Sequence, residues 1–166
     1  MHYETTAALL EVMKPYIGNA AVEISTDNKD WLGRDDRSDF VSIDPENSVG
    51  VQIYENAIIV FYFTDHYHFD DDACDLAQGA ADYIERAKAF LKDLFTCEIR
   101  HVECYRGRHL ASEQYFMQYH DGREEEQIGN IWYGLARPIS LFGKKSTHST
   151  MWQFDPGKGV FTTRQP

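Results

Sequence analysis

Apolar side chains along this chain recur first at helical spacing, then in alternation, then at helical spacing again, and alternation resumes to the C-terminus. Thr5 to Met13 predicts a short helix: Thr5 or Thr6 can cap it, Ala7, Leu9, Leu10 and Met13 form its apolar side, and Pro15 is expected to stop it. Ala20 to Ser25 reads as a strand. Thr26 to Asp39 is polar, with acids set around Trp31, and reads as a surface loop. Val49 to Tyr54 and Ala57 to Phe63 predict a hairpin about a Glu55-Asn56 turn. That turn pairs Ile53 with Ile58, Val51 with Val60 and Val49 with Tyr62, placing all six on one sheet face.

The strongest helical signal follows. Leu76, Ala80, Tyr83, Ile84, Ala87, Leu91 and Leu94 form one stripe, and the acids Asp70, Asp71 and Asp72 suit the positive N-terminus of such a helix. From Asp72 to Phe95 it would run roughly 35 Å. Strands are then expected over Glu98–Tyr105, Glu113–Tyr119, Ile128–Leu135, Thr150–Phe154 and Val160–Thr163. Asp121-Gly122 is the sharpest turn signal and sets Tyr115 against Ile128. Arg137 to Ser146, with Pro138 and Gly143, breaks the pattern. The order predicts an α+β fold in one domain over residues 1–166. Its sheet is predominantly antiparallel, with about six to eight strands. One long amphipathic helix over about 72–95 covers one face, and a short helix lies at the N-terminus.

Composition agrees with a packed core. At 166 residues and 43% hydrophobic content the chain can bury enough surface to fold without a metal or disulfide. The first residues, Met1-His2-Tyr3-Glu4-Thr5, show no basic stretch followed by an apolar run, and no apolar run approaches the ~20 residues of a spanning helix, so a cytoplasmic location is expected. Cys74, Cys97 and Cys104 are an odd, sparse set and read as reduced thiols.

Charge is more informative. The net charge is −11, and residues 1–75 alone hold 16 acids against 4 bases, whereas residues 134–166 carry a balance of +4. Such a field repels nucleic acid and anionic membranes and attracts basic partners.

Local chemistry is sparse. His66, His68 and Asp70 alternate on an extended stretch, so their side chains point the same way, and this run resembles the H-x-H-x-D-H metal motif of metallo-β-lactamase-like hydrolases. The resemblance implies a metal-assisted hydrolase. It covers only these few residues and departs at Asp71, where the family has a histidine. Capping of the following helix accounts for the three aspartates without any metal. Cys97 and His101 are four apart on one strand, roughly 13 Å between Cα atoms, too far for a thiolate–imidazole pair. Gly157-Lys158-Gly159 reads as a turn rather than a phosphate loop, and Glu124-Glu125-Glu126 as solvated strand-edge acids. Trp132, Tyr133, Trp152 and Phe154 are expected in the core before any stacking role. No catalytic residue and no cofactor is assigned.

The expected function is therefore docking to a basic protein, with Asp30, Trp31, Asp35, Asp36, Asp39, Asp70, Asp71 and Asp72 as the contact surface and Trp31 or Tyr54 as aromatic anchors. In size, charge and absence of a catalytic signature the chain is similar to the small bacterial immunity proteins, which implies a toxin, such as a nuclease, as the partner class.

Overall fold

A computed structural model of the chain describes residues 2–28, 38–70, 83–133 and 143–164. They form α1 (His2–Ile17), β1 (Glu23–Asn28), β2 (Ser38–Asp44), β3 (Val49–Ile53), β4 (Ala57–Tyr62), β5 (Asp65–Asp70), α2 (Tyr83–Thr96), β6 (Glu98–Arg106), β7 (His109–Gln118), β8 (Glu126–Trp132), β9 (Lys145–Asp155) and β10 (Val160–Arg164). The class is α+β with antiparallel strands, as expected, but the strands build two five-stranded sheets instead of one larger one. The first runs β1-β2-β3-β4-β5 and the second β10-β9-β6-β7-β8. Between them in sequence lies α2, which prevents β5 and β6 from forming a hairpin. The chain divides into two compact units: Met1–Phe95 with Phe154–Phe161, and Thr96–Gln153 with Thr162–Pro166.

In the first unit every strand pairs with its sequence neighbour. The β3–β4 register is the expected one, with Ile53 opposite Ile58 and Val51 opposite Val60. These residues, with Val41, Ile43 and Tyr62, are buried on the inner face. Leu9, Met13 and Ile17 lie four apart along α1 and are also buried. That spacing explains why α1 runs through Pro15 to Ile17 rather than stopping. Pro15 has no N–H to give the Glu11 carbonyl, and burial of Ile17 offsets that loss. Within α2, Phe90 rests on Tyr62, Tyr67 and Phe69, with ring centroids at 5.9, 5.1 and 5.5 Å. The expected first turns of that helix, from 72 to 82, lie outside the described residues.

A strand not expected in full is β5. It follows β4 through a tight turn in which Phe63 takes a positive φ of 53°. Bulky residues rarely adopt that geometry. Here Phe63 is held by its N–H donating to the Asn47 carbonyl at 2.9 Å and by an edge contact with the Phe161 ring at 5.3 Å.

The β9–β10 turn docks back on the end of α1. Gly18, at φ 52°, is the left-handed residue that ends the helix, and a Cβ there would sit 2.2 Å from the Pro156 carbonyl oxygen. Asn19 reinforces the contact: its N–H donates to Pro156 at 2.9 Å and its side-chain amide to Gly157 at 3.0 Å. Gly18→Ala is expected to cost about 2 kcal/mol in urea unfolding, from left-handed strain plus displacement of this turn. A loss under about 0.5 kcal/mol, the size of an ordinary surface change, would show that neither matters.

The second sheet places β6 between β7 and β9. On one face, Ile99, Tyr115, Met117 and Ile128 are buried. The β7–β8 register follows the Asp121-Gly122 expectation at Phe116–Gln127 and Met117–Glu126, then slips by one at a bulge, so Tyr115 meets Gly129 instead of Ile128.

Candidate functional site

Of the expected docking residues, Asp30, Trp31, Asp35, Asp36, Asp71 and Asp72 lie outside the described residues. Asp39 is described and turns inward. It is 8% exposed and accepts a 2.8 Å hydrogen bond from the Thr6 hydroxyl, tying α1 to β2. It is an internal contact, so the outward surface does not include it. Asp70 ends β5, half-buried, and its backbone carbonyl accepts from the Arg86 guanidinium at 2.8 Å.

His66 and His68 stand exposed on the outer face of β5, which is an edge strand. Their rings are 4.9 Å apart between centroids, and the Phe61 ring lies 5.9 Å from that of His66. Burial lowers the pKa of His68, the neighbouring His66 lowers it further, and Asp70 opposes both. Asp70 shares the face by parity but does not complete a shell. Among the described residues no group of three histidine, cysteine or acidic side chains is placed to hold a metal ion. The three-ligand arrangement implied by the hydrolase-like motif is therefore not formed by these side chains.

A polar cluster that sequence reasoning missed sits on the second sheet. Glu113 on β7 is buried, and three donors converge on its carboxylate: His101 Nε2 at 2.8 Å, the Tyr115 hydroxyl at 3.0 Å and the Tyr133 hydroxyl. The His101 ring stacks on Tyr115 at 4.5 Å with 6° between planes. Burial by itself pushes the Glu113 carboxyl up, but the hydrogen bonds from Tyr133, Tyr115 and His101 outweigh it and hold the group below the usual 4.5. Next to it Glu103, directly opposite Glu113 across β6 and β7, accepts from the Tyr105 hydroxyl at 3.2 Å. The one sequence signal for this cluster is the Glu113-x-Tyr115 alternation. His101 and Tyr133 join it only through strand register. A carboxylate with three donors is a satisfied network that fixes the alignment of β6, β7 and the end of β8.

Other candidates resolve simply. Cys97 and Cys104 are thiols outside any disulfide, and Cys74 lies outside the described residues. In the acid run after the β7 turn, Glu125 accepts from Gln118 at 2.6 Å and pairs with Arg100, so it is a surface ion pair. Phe154 is buried as expected, but Trp132 is 78% and Tyr133 42% exposed, contrary to the core reading. The reason is position: β8 is an edge strand, and Trp132 pairs with Ser112 near its end. Among the described residues no helix is long and apolar enough to cross a membrane.

No protein-family model, curated protein or solved structure matches this chain. Function must be argued from the side chains.

The broadest feature is the charge partition between the units. The first holds 20 acids and 8 bases, a balance of −12, and the second holds 7 acids and 8 bases, a balance of +1. Pairing within the first unit cannot neutralise it, since acids exceed bases by twelve. Ion pairs there, such as Lys14–Glu11, Lys88–Glu85 and Lys158–Asp155, join residues three apart along the chain. Glu4, Glu11, Glu23, Glu46, Glu55 and Glu85 are exposed.

Proposed function

We propose that this protein is a docking module that binds and restrains a basic protein through its acidic first unit, in the manner of an immunity protein acting on a toxin such as a nuclease. The observation that supports it is the partition of charge, −12 on one compact unit and +1 on the other. A field concentrated on one unit orients an approaching cation, which raises the association rate at low salt and fades as the Debye length shortens. Asp30, Asp35, Asp36, Asp71 and Asp72, all counted in that −12, stay in the proposal, with Trp31 as anchor. A hydrolase at His66 and His68 has less support, because no third ligand stands beside them among the described residues.

The test is to recover the partner from the native cell at low and high salt, identify it, and measure association by stopped flow. Replacing Asp35, Asp36, Asp71 and Asp72 by Asn is expected to slow association about tenfold at low ionic strength and to flatten its salt dependence. An identified partner that is itself acidic, or a rate indifferent to the four substitutions, would overturn the proposal.

A further inference from the structure

The outer edge of the first sheet carries a feature that charge does not explain. On β5, His66 and His68 alternate with Tyr67 and Phe69, whose rings lie on the other face against Phe90. The whole strand is fixed by its ladder with β4, from Ala57 opposite Asp70 to Tyr62 opposite Asp65. Both imidazoles are exposed and so accessible from solvent. We propose that His66 and His68 form a two-imidazole chelate for a divalent transition cation that prefers nitrogen, such as Zn²⁺, Ni²⁺ or Cu²⁺.

The geometry carries the assignment. Two imidazoles bound to one metal at about 2.0–2.1 Å, with a near-tetrahedral angle between them, place their ring centroids about 5 Å apart. The observed separation is 4.9 Å. The rings stand edge-on, 61° between planes, at the centroid separation a chelate needs. Phe61 beneath His66 backs one side of the pair with apolar surface, and Ile59 lies opposite His68 across the ladder. Because both ligands ride on one paired strand, the second imidazole binds at high effective concentration once the first has bound. Nitrogen donors favour zinc, nickel and copper over magnesium or calcium. With two protein ligands the remaining coordination positions belong to solvent, which separates this site from a closed structural one.

The inference is independent of the docking proposal. Its test is calorimetric titration of the full chain with Zn²⁺ in a non-coordinating buffer near pH 7.5, alongside His66→Ala, His68→Ala and, in the second unit, the exposed His120→Ala. One strong equivalent per chain is expected in the parent and in His120→Ala, and at least tenfold weaker binding in each β5 variant. Both β5 side chains are exposed, so the variants keep the fold, and circular dichroism checks this. Paramagnetic broadening by Cu²⁺ should be confined to amides of β4 and β5. Equal affinity in the parent and either β5 variant overturns the proposal, as does broadening centred on another histidine.

Discussion

Replacing Glu113 by Ala is expected to destabilise the protein by about 3 kcal/mol at neutral pH, the larger part from donors left without an acceptor. Tyr133 is 42% exposed and can turn its hydroxyl to water, but Tyr115 is 1% exposed and cannot. Its hydroxyl, and the His101 ring stacked on it, each lose a charge-assisted bond. Glu113→Gln keeps the shape and one acceptor, so it should cost less, while turning an amide N–H toward donors. The two variants also separate by pH. The carboxyl of Glu113 titrates below the usual 4.5 in the folded protein, so the unfolded chain binds its proton first as pH falls. Its contribution is therefore full above the unfolded value and is lost as pH drops through the folded one. The stability gap between parent and Glu113→Gln should narrow across that acid window and stay constant above pH 6. Urea unfolding at pH 7 and through the acid range measures both. A cost below about 0.5 kcal/mol for the alanine variant would mean that the cluster is not a lock on the sheet.

The same cluster shows where sequence reading ends. The β3–β4 register was legible because a two-residue turn and strict alternation in Val51, Ile53, Ile58 and Val60 allow a single alignment. In β7–β8 the turn gave the register near Met117, but a bulge between Tyr115 and Phe116 shifted the remainder, and no local pattern announces a bulge. Strand β5 was legible only in part. One face carries Tyr67 and Phe69, of which only Phe69 is buried, the other two histidines and an aspartate, and its turn puts phenylalanine in a conformation that phenylalanine avoids. The acids beside it also suit a helix cap, and that competing account hid the strand. Division into two sheets depends on which strands do not pair, which alternation cannot express. Of the candidate site, the charge was visible in composition, but Asp39 was not visibly an inward group until Thr6 was found beside it. His101, Glu113 and Tyr133 are 12 and 20 residues apart in the chain, so only the fold joins them.

A second buried acid gives the means to separate scaffold from function. Asp44 is fully buried at the end of β2, where its Oδ1 accepts from the Asn47 N–H at 3.3 Å. Its Oδ2 accepts from the Asn47 amide at 2.7 Å and from the Phe161 N–H at 2.6 Å. Phe161 belongs to a ring cluster with Phe95 and Phe154, at 6.0 and 5.2 Å, so this carboxylate ties the first sheet to the aromatic core of its own unit. Asp44→Ala is expected to cost about 3 kcal/mol, since it strands a buried backbone donor and uncaps the turn at Pro45. Asp44→Asn can keep its oxygen at the Oδ2 position, where two of the three donors converge, and should cost about 1 kcal/mol. Neither change touches an exposed acid. Below its melting temperature the Asn variant should therefore keep the parent's association rate and salt dependence toward the basic partner, while unfolding at lower urea. Were association instead to slow in step with stability, the rate would depend on the integrity of the unit rather than on its field, and the charge partition would lose its functional meaning.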